Sequence, residues 1–344
     1  MVTTALLAWS CGREELPAAD SSRPIAFSML STKADTYTYL PSGSTFTVAA
    51  KKCAGTSWDS SDAVNVFKTT SGLQNVQTTN ATGACTYSPA AYWSSNSVFR
   101  FRAVYPIAPD QVNYTDDLDG NAVISNFTVN ASASAQKDLM LSELVERTTS
   151  SPVGSPAAVD IVFHHLLCKV IIKIGEETVT SLAPNAELDE FTITGVRLNG
   201  LPKQGTYTYT GTTSGTWNAA NGTWSLGGSE SLTCINNTNY TLSNDGTLTT
   251  IFEGLLLIPM TISTTVNGVN MVVSYTVTHD DGNPTTDPEI STPTVSIPIP
   301  PITWEAGKVY TYQLKMSEEY YIRFGNITVD TWGSPQSSGT VIIK

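Results

Sequence analysis

The residues best suited to a covalent reaction stand at the start of the printed chain. Residues 5–9 are apolar, and the next two, Ser10 and Cys11, place a small side chain directly before a thiol. This order is typical of a bacterial lipoprotein signal, in which a peptidase cuts before the cysteine and its thiol takes a diacylglyceryl group. We therefore predict lipidation of Cys11, where each buried acyl methylene contributes about 0.8 kcal/mol to membrane binding.

This signal is shorter than usual. Only ten residues precede Cys11 and none is Lys or Arg, whereas secretory signals commonly run to about 15–30 residues with a basic start. A cysteine in an ordinary N-terminal arm, or a tag remnant, is therefore the alternative interpretation.

Histidines and carboxylates are the next candidates for chemistry. His164 and His165 are adjacent in a predicted strand, so their side chains point to opposite faces and cannot chelate one metal together. We expect one to be buried and hydrogen-bonded and the other to point outward. His279, which precedes an acidic turn, and the acidic segment 116–121 resemble weak metal sites. The acidic segment lacks the sixth-position Gly and distal Glu of an EF-hand, so turns are favoured for both and no metal or cofactor is predicted.

Catalytic signatures are not found in the sequence. It holds no nucleophile elbow, zinc-protease helix motif, phosphate loop or dinucleotide fingerprint. A carboxylate pair for glycoside hydrolysis depends on spatial proximity, so a hydrolase is kept only as the weakest alternative, and we expect a protein that is not an enzyme.

Tryptophans offer a surface for ligand binding. Trp58 and Trp93 are the candidate ligand aromatics, and Trp217 and Trp224 complete a possible sugar-stacking set. Scattered core and rim aromatics are the favoured interpretation of these side chains.

Four further cysteines follow Cys11, and none is in CxxC spacing, so no zinc site is predicted. Cys53 and Cys85 lie in the same half of the chain and could form a disulfide, a question that the sequence leaves open. Cys168 lies within an apolar strand and is expected to be a small buried hydrophobic residue.

Composition excludes several classes of protein. The 344 residues include only 14% charged side chains and carry a formal net charge of −12. Nucleic-acid binding needs a basic footprint, and electrostatic docking on anionic lipid needs basic clusters, so neither partner is predicted. Beyond the N-terminus no apolar stretch reaches the ~20 residues of a transmembrane helix.

The elements that position these residues are predicted to be strands. Apolar side chains alternate at 25, 27 and 29 and again at 99, 101 and 103, as half-buried strands require. Asn-Gly and Asp-Gly pairs mark hairpin turns, and only Leu139 to Arg147 suggests a short helix. Many short strands with frequent turns favour an all-β fold of antiparallel β-sandwiches.

One composition break divides the chain. Residues 148–158 (TTSSPVGSPAA) have the composition of turns and linkers, and a long apolar run follows. We predict an N-terminal arm at 1–22 and β-sandwich domains at 23–158 and 159–344, the second ending in a strand at 337–344.

Three segments together resemble a known family. They are RPIAFSMLSTKADT (23–36), DIVFHHLLCKVIIKI (160–174), and WEAGKVYTYQLKM (304–316) followed by IRFGNITVDTW (322–332). The chain resembles the fimbrillin-like proteins of Bacteroidetes, a superfamily of fimbrial subunits and their anchors. The positions that carry the resemblance are Phe163, His165, Lys169, Val170, Trp304, Gly307, Tyr310, Tyr312, Leu314, Val329 and Trp332.

The resemblance implies two transthyretin-like sandwich domains, export as a lipoprotein, and assembly into a type V pilus. In that family an Arg- or Lys-specific protease removes the N-terminal segment, and the vacated groove accepts a strand from another subunit by main-chain pairing. The candidate cleavage residues here are Arg13, Arg23 and Lys33, and only a cut at Lys33 detaches the strand at 24–29. The candidate donor residues are Val341, Ile342 and Ile343, and the sequence leaves open whether they pair in cis or in trans.

The leading hypothesis is therefore a structural subunit of a surface fimbria that supports cell adhesion, in a stalk, tip or anchor role at the outer membrane. Its expected partners are other pilin subunits, and its only expected membrane contact is the lipid on Cys11. The competing hypothesis is a monomeric surface lipoprotein that binds a glycan or a host protein.

Overall fold

A computed structural model describes ten stretches of the chain. They are residues 19–29, 40, 42–79, 83–108, 111–178, 188–263, 268–280, 287–317, 321–332 and 339–341, of which 19–22, 188, 228–230, 280 and 339–341 are described by their backbone alone. Apart from two short 3₁₀ turns, Ala133–Ala135 and Ala219–Asn221, their regular structure is entirely β. The predicted all-β class is confirmed.

Fourteen strands lie between residues 19 and 165. They are β1 (Ala19–Pro24), β2 (Phe27–Met29), β3 (Thr45–Ala54), β4 (Val64–Asn65), β5 (Leu73–Thr78), β6 (Cys85–Thr86), β7 (Tyr92–Ser94), β8 (Ser97–Tyr105), β9 (Asn113–Asp116), β10 (Ala122–Thr128), β11 (Met140–Ser142), β12 (Val145–Thr148), β13 (Val159–Ile161) and β14 (Phe163–His165).

Thirteen strands follow. They are β15 (Cys168–Glu176), β16 (Leu188–Tyr209), β17 (Gly222–Asn236), β18 (Tyr240–Thr241), β19 (Thr249–Leu257), β20 (Met260–Ile262), β21 (Asn270–Asp280), β22 (Glu289–Ser291), β23 (Thr294–Pro298), β24 (Ile302–Trp304), β25 (Lys308–Met316), β26 (Ile322–Thr331) and β27 (Gly339–Val341).

The first core lies on one face of an eight-stranded sheet. The sheet runs β14-β11-β8-β3-β5-β6, with β12 beside β8 and β4 beside β3. Two small pairs cover it, β1 with β7 and β2 with β13. Alternate side chains of β2, β3 and β8 meet between these layers in one aromatic-rich cluster, as period-two alternation requires.

The second core lies between a sheet of eight strands and a sheet of five. One runs β22-β21-β16-β10-β9 and also carries β17, β18 and β23, and the other runs β19-β15-β25-β26-β27. Most neighbouring strands are antiparallel, as predicted, but β2 with β13 and β15 with β25 are parallel. Of the described residues, none belongs to a helix long and apolar enough to cross a lipid bilayer.

Strand pairing crosses the predicted domain boundary in both directions. β9 and β10 join the sheet of β16, while β13 and β14 pair with β2 and β11. The boundary between 158 and 159 therefore stays a prediction.

The helix predicted at Leu139 to Arg147 is wrong, because this segment forms β11 and β12. Leu139 and Leu141 pack into the second core, whereas Met140 and Val145 pack into the first. A strand buried on both faces shows no alternation of apolar and polar residues, so its apolar spacing can imitate that of a helix.

Candidate functional site

The first strand segment occupies a closed slot in the first core. Ile25, Phe27 and Met29 point inward and are only 2–3% exposed. Their spacing of two residues puts all three on one face of the extended chain. The slot therefore takes an apolar side chain at every second position of one strand.

Aromatic rings form the walls around Phe27. Its ring centroid lies 5.4 Å from that of Tyr87, 5.8 Å from Phe101 and 6.4 Å from Phe67, in edge-on or tilted arrangements. Such contacts add about 0.5–1.5 kcal/mol each beyond the burial of apolar area. Phe27 is thus the central anchor of the strand.

Main-chain hydrogen bonds hold the two ends of this segment. The Ile25 amide donates to the carbonyl of Ala91 at 2.8 Å, and the Tyr87 hydroxyl donates to the carbonyl of Ile25 at 2.7 Å. At the other end, the Met29 amide donates to the carbonyl of Gly83 at 2.8 Å. These bonds recognise backbone and not side chains, so a different strand of the same spacing can form them.

Gly83 permits the close approach at the Met29 end. It has a φ of +86°, and a Cβ at this position would lie 2.1 Å from the Met29 carbonyl oxygen. Only glycine avoids both the backbone strain and the collision.

The outer face of the segment carries one polar contact. Ser28 lies opposite Asp160 in the parallel β2–β13 ladder, and its hydroxyl donates to Asp160 Oδ1 at 2.5 Å. The slot therefore combines three inward apolar positions with one outward acceptor.

The terminal strand β27 lies at the edge of the second core. It pairs with β26 through Gly339, Thr340 and Val341, which lie opposite Val329, Thr328 and Ile327. Among the strands that the structure describes, its neighbour in the sheet is β26 alone. Within a single chain this strand is therefore paired in cis, and the candidate donor residues Ile342 and Ile343 lie outside the described residues.

Of the three candidate cleavage residues, one is described. Arg23 lies in β1 directly before Pro24, and its Nη1 donates to the Ser155 hydroxyl at 3.0 Å. Arg13 and Lys33 lie outside the described residues, as does the candidate lipidation site Cys11.

The two candidate ligand tryptophans lie in different environments. Trp58 is half-buried, with the Arg100 guanidinium 4.5 Å from its ring and its Nε1 donating to Asp119 Oδ1 at 3.0 Å. Trp93 is 1% exposed and packs against Phe99 with ring centroids 4.8 Å apart. That burial contradicts the expectation for Trp93, because the indole of a core residue cannot stack on a ligand.

The other two tryptophans are also engaged by the protein. Trp217 stacks nearly parallel on Tyr209 at 4.4 Å and on His164 at 4.3 Å. The Nε1 of Trp224 donates to the carbonyl of Leu166 at 3.0 Å. Both therefore join elements of the fold together.

Both adjacent histidines are buried, so the expectation that one points outward is wrong. His164 approaches Glu143 at 3.1 Å, and His165 approaches Asp138 at 2.5 Å and stacks on Trp332 at 3.9 Å. They do face opposite sides of β14, as a strand requires, but tertiary packing covers both sides.

Of the two weak metal candidates, one is described only in part. His279 lies in β21, where its Nδ1 is 2.6 Å from Asp189 Oδ1, and the predicted turn that follows it at 281–283 lies outside the described residues. In the acidic segment, Asp116 is buried against Arg102 at 3.1 Å, while Asp117 accepts hydrogen bonds from the amides of Asp119 and Asn121. Across the described ranges no three His, Cys, Asp or Glu side chains are grouped to hold a metal.

The four described cysteines are all free, so the open question of a disulfide between Cys53 and Cys85 is answered in the negative. Burial raises the pKa of the Cys85 and Cys234 thiols to about 11 and also raises the pKa of Cys168. These thiols are protonated at neutral pH and are poor nucleophiles.

One carboxyl group in the second core is strongly perturbed. Glu176, at the end of β15, is 6% exposed. Burial is the main cause that raises its pKa to about 7, and the negative charges of Asp189, Asp245 and Glu190 raise it further. The sheet that carries β27 therefore contains an acid that ionises near neutral pH.

Comparison with known proteins identifies the family of this chain. A fimbrillin-like family model matches residues 30–332. The chain belongs to the fimbrillin-like family. No curated protein sequence matches it.

Two solved structures share the fold of this fimbrillin-like chain. A fimbrial protein from Bacteroides vulgatus is 16% identical with a TM-score of 0.60, covering 90% of this chain and 99% of its own. A candidate cell adhesion protein from Bacteroides ovatus is 15% identical with a TM-score of 0.50, covering 90% and 98%. At these identities the likeness concerns the fold alone.

Proposed function

We propose that this chain is a subunit of a surface fimbria, and that subunits join when the first strand segment is removed and a strand of another subunit fills its slot. The observation that carries this proposal is the burial of Ile25, Phe27 and Met29 in a slot that recognises backbone and alternate apolar side chains. Family membership supports the fimbrial role.

Removal of the segment is unfavourable in free energy unless another strand replaces it. Burial of a large apolar side chain is worth about 1.5–3 kcal/mol, and three such side chains leave together. The carbonyls of Gly83 and Ala91 also lose their donors, which costs free energy wherever they stay away from water. An incoming strand restores both the apolar burial and the main-chain hydrogen bonds.

Cleavage at Lys33 is the processing step that empties the slot. Lys33 lies beyond Met29, so a cut there separates the whole of β1 and β2 from the rest of the chain. Arg23 is a poor alternative, because the next residue is Pro24, whose ring fixes φ and removes the backbone N–H. A cut at Arg13 would release only the segment that contains Cys11.

The terminal strand is the donor. Because its neighbour among the described strands is β26 alone, β27 can separate from β26 without disturbing the interior of its sheet. Val341 and Ile343 supply the alternate apolar side chains that the slot accepts. Lipidation of Cys11 would carry the precursor to the outer membrane and would be lost with the same segment.

The purified full chain provides the test. Treatment with a Lys-specific protease should produce multimers that resist SDS without heating, because exchanged strands are buried. A Lys33→Gln chain, and a chain lacking residues 339–344, should both remain monomeric under the same treatment. A wild-type protein that is cut after Lys33 and stays monomeric would overturn the proposal.

The competing glycan-binding function has less support. Trp93 is buried and Trp217 is stacked on two protein rings, so of the two candidate ligand aromatics, Trp58 and Trp93, only Trp58 keeps exposed surface. Loss of assembly together with glycan binding that depends on Trp58 would favour that function instead.

A further inference from the structure

Asp160 is a polar residue on β13, the strand that pairs with the first strand segment. It lies on β13 between Val159 and Ile161, which face the first core. Its own side chain points to the outer face, where it accepts the hydrogen bond of Ser28 at 2.5 Å. When β2 leaves, this partly buried carboxylate loses the hydroxyl of Ser28.

An incoming strand must therefore satisfy more than the apolar slot. Its fourth residue, counted from the position of Ile25, lies opposite Asp160. A hydrogen-bond donor there replaces Ser28, whereas an apolar or acidic residue leaves the carboxylate desolvated without its partner, which is costly. Such a cost against wrong partners is a source of specificity.

The terminal segment of this chain has a suitable residue at this spacing. With Val341 in the position of Ile25, Ile343 takes that of Phe27 and Lys344 takes that of Ser28. This register keeps the direction of β2, and so keeps the parallel ladder with β13. Ile342 then takes the place of Ala26, which is exposed.

We propose that Asp160 is a specificity-determining residue that selects the donor strand of a second copy of this chain through an ion pair with its Lys344. This inference rests on the proposed strand exchange. An ammonium in place of the serine hydroxyl turns a hydrogen bond with one charged partner into an ion pair with two, which adds the attraction between opposite charges. The register of exchange is fixed by the same contact, because a slip of one residue turns every side chain to the other face.

A charge swap tests this pair. Full-length wild type, Asp160→Lys, Lys344→Glu and the double variant all receive an engineered protease site in place of residues 31–36. Cleavage then does not depend on any lysine. SDS-resistant multimers are quantified after cleavage, and Asp62→Lys, at an exposed position outside the slot, controls for net charge.

We expect each single variant to form at least tenfold less multimer than wild type, and the double variant to recover most of it. Lys344→Glu leaves the slot unchanged, so it reports on the pair even where Asp160→Lys weakens folding. Normal assembly of both single variants, or no recovery in the double variant, would overturn the pairing. So would sensitivity to Thr340→Val together with indifference to Lys344→Glu, which would place Thr340 opposite Asp160 in a reversed strand. Absence of multimers in the wild type would instead refute strand exchange itself.

Discussion

The first strand segment and the terminal strand have similar sequence patterns but lie in very different surroundings. Ile25, Phe27 and Met29 are buried in the first core, and three aromatic rings surround Phe27. Val341 lies in a strand whose neighbour among the described strands is β26. Removal of the first strand therefore leaves an apolar vacancy in a core, whereas the terminal strand is held by backbone pairing with that one described neighbour. Strand exchange needs this asymmetry.

The largest expected effect is that of truncating the central anchor. Phe27→Ala should lower the free energy of unfolding by about 3–5 kcal/mol, because it opens a cavity among buried rings. Urea denaturation of the uncleaved chain provides the measurement. The matched control is Phe324→Ala in β26, whose ring is half-buried beside Tyr312 at 5.9 Å. Equal losses for the two variants would break the comparison.

The second prediction concerns the pH dependence of stability in the sheet that carries the terminal strand. The pKa of Glu176 is raised in the folded chain to about 7 from its usual 4.5, so the folded state holds this proton more tightly than the unfolded state. The contribution of Glu176 to stability is therefore greatest below about pH 4.5 and falls as the pH rises towards 7.

Glu176→Gln removes this loss and should stabilise the sheet that carries β27 by about 1–3 kcal/mol at pH 8, since one pKa unit corresponds to about 1.4 kcal/mol. The variant should match wild type near pH 4. Thermal unfolding across this range provides the measurement, with the neighbouring Glu177→Gln as control. No gain at pH 8 would contradict the assignment of a buried, ionising Glu176.

The smallest expected effect concerns the backbone contact at the first strand. Tyr87→Phe removes the hydroxyl that donates to the Ile25 carbonyl and should cost about 1 kcal/mol. Amide hydrogen exchange at Phe27 and Met29 should accelerate about fivefold. Tyr92→Phe in β7 is the control, and similar acceleration in both variants would show that the contact at Tyr87 is not specific.

The alternation of apolar side chains predicted the first strand segment, but not the residues that surround it. The spacing of Ile25, Phe27 and Met29 correctly indicates a strand with one buried face. The roles of Gly83, Tyr87 and Asp160 could not be predicted, because each approaches the strand from a distant part of the sequence. Local periodicity carries no information about such contacts.

The failures elsewhere have a common physical cause. Trp93, His164 and the segment around Leu141 are each covered by elements distant in sequence. Amphipathic residues such as Trp and His are found both in cores and at surfaces, so residue type alone could not decide their exposure.

The most direct test of the account is the intact mass of subunits recovered from assembled surface fibres. Strand exchange predicts chains that begin at Ala34, directly after Lys33, and therefore lack the residues that fill the slot in the single chain. Recovered chains that still contain residues 24–29 would contradict it, because the slot would then be occupied by the chain's own first strand.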